Sequence, residues 1–115
     1  MYFLLLVLCS QTISNLQSVD DFAVLMGQEY VLVDVRSAEE FAKGALPNAI
    51  NISVNAIDFP FEISRLDKGL PVLIYCKSGA RSARAAIAMK ALGFETIYEL
   101  EGGYLAWEAA KKLKH

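Results

Sequence analysis

The sequence predicts an α/β domain: a central, mainly parallel sheet of five strands with helices on both faces. Three observations carry that expectation. Apolar, β-branched runs alternate along the chain with segments of helical character, which is the pattern of strand–helix–strand units. The runs at 30–35 and 72–75 are almost unbroken in apolar residues, as suits strands buried on both faces. Glycine, proline and capping residues punctuate the segments where such units need turns. A chain of 115 residues, 55% hydrophobic and 21% charged, is long enough for one core and too short for two.

The elements follow in order. Residues 1–12 form an apolar N-terminal segment. Its run from Tyr2 to Cys9 is too short to span a membrane, which takes about twenty residues. It reads as the apolar part of an export signal, although no Lys or Arg precedes it; residence in the cytoplasm is the alternative. The folded domain is placed at 13–115. Ser18, with Asp21 three residues on, caps a helix over 19–26 that stops at Gly27. A strand follows at 30–35, and Ser37 caps a short helix over 38–42. Pro47 lies in a turn at 44–48, before a short strand at 49–52. A helix is expected around 61–66. Pro71 opens the strand at 72–75, a position where its missing N–H does no harm. An alanine-rich helix spans 81–92 and closes at Gly93. The last strand is 96–100, and Gly102-Gly103 turns the chain into a final helix over 104–113, with Trp107 as its core anchor.

The chemistry is expected where the strand at 72–75 ends. Cys76 stands there, followed by the polar loop Lys77-Ser78-Gly79-Ala80-Arg81-Ser82 and the alanine-rich helix. Such a loop turns backbone N–H groups into a concavity beside the positive end of a helix, which stabilises a thiolate. No Asp or Glu occurs from 70 to 93, while Lys77, Arg81, Arg84 and Lys90 are cationic, so an anion is expected to meet this cysteine. The net charge of −2 makes the basic cluster a local feature and gives no reason to expect nucleic acid. Two cysteines, Cys9 and Cys76, and one histidine, His115, leave no disulfide framework and no Cys/His zinc site. Activation of Cys76 therefore falls to the loop and its charges.

Several segments together resemble the single-domain rhodaneses, the thiosulfate sulfurtransferases. They are Leu32-Val33-Asp34-Val35-Arg36 with Glu39-Glu40-Phe41, the stretch from Lys43 to Ile52, the loop from Cys76 to Ser82, and Leu100-Glu101-Gly102-Gly103 with Trp107. The resemblance departs at Gly44-Ala45-Leu46, where family members often carry Gly-His-Ile. It implies a rhodanese-like fold and a persulfide mechanism. In that mechanism Cys76 attacks the outer sulfur of thiosulfate, or of another persulfide donor, and sulfite leaves. Cys76 then passes the sulfur to a thiol or cyanide, the thiol in some cases belonging to a protein. The covalent Cys76 persulfide takes the place of a cofactor, and no metal is implied. Arg81 is expected to hold the sulfonate end of the donor through its forked donors, Lys77 to add charge, and Gly79 to adopt a positive φ. Asp34 and Arg36 are possible supporting residues. The competing expectation for Arg36 is a structural ion pair with Glu39 or Glu40.

Two other functional classes bear weighing. Phosphatases and arsenate reductases resemble Cys-x5-Arg, whereas Cys76 and Arg81 are one residue closer, which encloses a smaller space. A non-catalytic rhodanese-like binding or regulatory module typically lacks the cysteine or has a broken loop, and this loop is intact. A persulfide carrier that serves a protein thiol lies between enzyme and module.

Overall fold

The structure is a computed structural model that describes residues 13–113, with side chains described from residue 15. The apolar segment at 1–12, Cys9 and His115 lie outside the described residues. Five strands form one sheet: β1 (Ile13–Gln17), β2 (Val31–Asp34), β3 (Ile50–Asn51), β4 (Val72–Tyr75) and β5 (Thr96–Leu100). All pairings are parallel, and the strand order is β1-β5-β4-β2-β3. The helices are α1 (Val19–Leu25), α2 (Ala38–Ala42), α3 (Phe59–Ser64), α4 (Ala80–Ala91) and α5 (Gly103–Leu113).

Side chains alternate across a strand, so each central strand feeds two cores. On one face Val33, Val35, Val72, Ile74, Cys76 and Ile97 pack with Phe59 and Ile63 of α3 and with Ala85, Ala86 and Met89 of α4. On the other, Leu32, Leu73, Tyr75 and Leu100 pack with Phe22 of α1, while Tyr104 and Trp107 of α5 lie against them. Small side chains let α4 approach the sheet closely. Trp107 is half-buried against the second core, in keeping with the anchoring expected of it.

Local chemistry sets the helix ends. Ser18 accepts a hydrogen bond from the Asp21 N–H, and Ser37 forms a reciprocal capping box with Glu40. Helix α3 begins two residues earlier than expected. Pro60 sits in its first turn, where no intrahelical donor is needed, so the proline starts the helix instead of preceding it. The expected strands at 30–35 and 49–52 shorten to β2 and β3. Beyond their ends the N–H of Val35 still bonds Tyr75 O, and that of Ile52 bonds Asp34 O, so the extended backbone outruns the ladder. The fifth strand is β1, which no apolar run announced. Among the described residues, no helix is long and apolar enough to cross a membrane.

Candidate active site

Cys76 follows β4 directly at the carboxyl end of the sheet, where ligands of parallel α/β sheets gather. Its side chain faces α4 and is 1% exposed. The Gly79 N–H donates to Cys76 Sγ at 3.1 Å. Ser82 Oγ lies 3.6 Å from the sulfur and donates to Gly79 O at 3.1 Å. The thiol can thus donate to Ser82 Oγ, and a thiolate can receive the same hydroxyl hydrogen once it turns from Gly79 O. Burial pushes the Cys76 thiol up. The Ser82 hydroxyl and the N–H groups of Ser82, Gly79 and Ser78 outweigh it, and the thiol titrates below its ordinary value.

The loop's shape depends on glycine at two places. Gly79 has φ +128°, a conformation that side-chain-bearing residues rarely adopt, and it heads α4 without a capping side chain. The first turn of α4 therefore keeps its donors for the sulfur. Gly103 fixes the base of the loop from the far side. Tyr104 and Leu105, in the first turn of α5, donate their N–H groups to Cys76 O at 2.8 Å and Lys77 O at 3.1 Å. A Cβ on Gly103 would stand 2.5 Å from Cys76 O. The loop of Cys76 hangs between two helix N-termini, one facing its sulfur and one gripping its backbone.

Arg81 is paired. Its Nη1 and Nη2 donate to Glu40 Oε1 and Oε2 at 2.7 and 2.9 Å, a two-pronged bridge between α2 and α4. Glu40 also accepts from Ser37 N and Oγ, at 3.1 and 3.0 Å. The Arg81 guanidinium is the main reason its carboxyl falls to about 2. The sulfonate-binding role expected of Arg81 thus meets a guanidinium already holding a carboxylate. Sequence reading missed Glu40 as a site residue. The Ser37-x-x-Glu40 spacing announces a capping box, but nothing local announces a partner 41 positions away.

Asp34 and Arg36 form a separate assembly. Asp34 points to the face opposite Cys76, because it alternates with Val33 and Val35. Its Oδ2 accepts from Tyr75 Oη at 2.6 Å, its register partner on β4, and from Arg36 Nη2 at 2.6 Å. Arg36 also donates to Gly44 O at 2.6 Å, its guanidinium lies 4.4 Å from the Tyr104 ring centroid, and Leu46 N–H donates to Tyr75 Oη. Arg36 is 4% and Asp34 0% exposed, and every buried polar side-chain atom described has a partner. The structural ion pair expected of Arg36 exists, but with Asp34; Glu40 belongs to Arg81. Arg36, just past the end of β2, reaches back with its guanidinium to the carboxylate at that strand's last residue.

Beside the loop, a cleft of about 240 Å³ is lined by Arg36, Glu40, Lys43, Gly44, Lys77, Tyr104 and Leu105. A hollow of about 340 Å³ lies between β3 and α3, lined by Ile50, Asn51, Ile52, Glu62, Arg65 and Leu66. It holds no nucleophile. Among the described residues, no cluster of His, Cys, Asp and Glu could hold a metal ion.

Comparison with known proteins bears on the fold and the family. The family profile for the rhodanese-like domain matches residues 18–110. The chain is 36% identical over 80 residues to a sulfurtransferase of Allochromatium vinosum, covering 70% of this chain and 73% of that one. It is 39% identical over 82 residues to a tRNA uridine(34) hydroxylase of Cytophaga hutchinsonii, covering 69% of this chain but 26% of that longer protein. In structure it is similar to a rhodanese-like domain protein of Staphylococcus aureus, with a TM-score of 0.71 and 30% identity. That match covers 81% of this chain and 90% of the other.

Proposed function

The chain belongs to the rhodanese-like family, of sulfurtransferase type, and on that premise we propose that it carries sulfane sulfur as a persulfide on Cys76. The observation that carries this reading is the sulfur's setting. Buried Cys76 Sγ receives the Gly79 N–H, has the Ser82 hydroxyl within reach, and titrates below its ordinary value. In the first step the Cys76 thiolate attacks the outer sulfur of thiosulfate or of another persulfide donor. With thiosulfate the S–S bond breaks and sulfite departs with its electron pair. The persulfide anion that remains is held by the N–H groups of the loop. In the second step a thiolate or cyanide attacks the terminal sulfur, and Cys76 leaves as thiolate. Lys77, exposed beside the loop, adds unfocused positive charge.

A carrier that hands its sulfur to a protein thiol uses the same two steps, and only the acceptor differs. A phosphatase is disfavoured by the pairing of Arg81 with Glu40, since a phosphate would compete with a carboxylate for that guanidinium.

The test is intact-protein mass after incubation with thiosulfate or an alkyl persulfide. The reduced protein is expected to gain one sulfur, to lose it to added thiol or cyanide, and to gain none as Cys76→Ala. No gain from either donor would remove the proposal.

A further inference from the structure

The basic character of the loop is smaller than its composition suggests, because its one forked cation is engaged. We propose that Glu40 is a donor-specificity residue: by occupying the Arg81 guanidinium it biases the site toward alkyl persulfides and against thiosulfate. This rests on the persulfide reading above and names the donor class for the same site.

The argument is one of charge and geometry. Thiosulfate presents a dianion whose far end is a sulfonate, and the group best shaped to take it is a guanidinium with two parallel N–H donors. Arg81 has those donors, two residues past Gly79, but both reach Glu40 at 2.7 and 2.9 Å. The carboxylate is held in turn by the Ser37 N–H and hydroxyl and lines the cleft beside Lys77, so it already occupies the two donors a sulfonate would need. The guanidinium that lines the cleft itself, Arg36, is matched by Asp34 in the same way. What remains are the ammoniums of Lys43 and Lys77, which are exposed and screened by solvent. An alkyl persulfide needs less: the loop N–H groups at its terminal sulfur, and no site for a sulfonate. In that reaction the Cys76 thiolate attacks the terminal sulfur of R–S–SH. The S–S bond of the donor breaks, Cys76–S–SH forms and the donor leaves as R–S⁻ with the electron pair of that bond.

The charge can be removed with the shape kept. Glutamine completes a capping box as glutamate does, so Glu40→Gln is expected to preserve α2. Single-turnover loading of Cys76, followed by intact mass, would be measured with thiosulfate and with cysteine persulfide. Wild type is expected to load from the persulfide at least tenfold more efficiently. Glu40→Gln should raise efficiency with thiosulfate on the order of tenfold, through KM, and leave the persulfide rate within about twofold. Removing the guanidinium as well, in Glu40→Gln with Arg81→Ala, should abolish the gain. An unchanged donor ratio in Glu40→Gln overturns the proposal, as does a fall with both donors, which would make Glu40 a structural strut. If Glu40→Gln does not fold, wild type alone decides: equal or better loading from thiosulfate overturns it. Failure of both donors to load Cys76 would instead sink the persulfide reading.

Discussion

At the scale of single residues, Ser82 has the most revealing position. It is fully buried, its hydroxyl has a resting acceptor in Gly79 O, and the sulfur lies within its swing. A donor that can turn toward new charge stabilises the thiolate more than the thiol, so it lowers the pKa. Ser82→Ala should therefore move the pH profile of Cys76 alkylation upward, which a rate series with iodoacetamide across pH would show. A profile that stays in place would assign the lowering to the backbone N–H groups alone. The placement of Cys76 between a strand end and a glycine-headed helix could be read from the sequence before any coordinates. The state of Arg81 could not. A charge seen in sequence carries no sign of whether it is free, and its partner is on a helix distant in the chain.

At the scale of elements, α4 and α5 divide the work on the loop: the first directs donors at the sulfur, and the second takes up the carbonyls of Cys76 and Lys77. Gly103 permits the second contact, at φ +58° and with no room for a Cβ. Gly103→Ala combines left-handed strain with a clash against backbone. It is expected to cost about 2–4 kcal/mol in urea unfolding and to slow loading of Cys76 by displacing its carbonyl. Wild-type stability in that variant would show that α5 yields without disturbing the loop. Most elements were legible because caps and apolar runs are local signals. The start of α3 was misjudged because a proline can open a helix as well as precede one. β1 escaped because its sequence, Ile-Ser-Asn-Leu-Gln, lacks an apolar run and it lies at an edge of the described sheet. The position of Asp34 was likewise hidden until the register set Tyr75 beside it.

At the scale of the molecule, the ion pair between Glu40 and Arg81 ties α2 to α4 across the loop and links stability to pH. Glu40 titrates at about 2 in the folded chain against an ordinary 4.5. Its pKa is depressed on folding, so the pair's contribution is complete above 4.5 and is lost as pH falls through about 2. The difference in urea midpoint between wild type and Glu40→Gln should hold steady above pH 4.5 and shrink below it. A difference that does not narrow would place the carboxylate's stabilising role outside the pair. Sheet order has a consequence of another kind. Among the described residues β1 has a single strand neighbour, and that neighbour is β5, the last of the described strands in chain order. At ~5–20 residues/s a ribosome takes roughly 4–17 s to go from one to the other. Through that interval the first strand is a template with no complement, and Cys76 emerges well before α5 arrives to brace it. The nascent chain thus carries its thiol on an unfinished scaffold until β5 and α5 have followed.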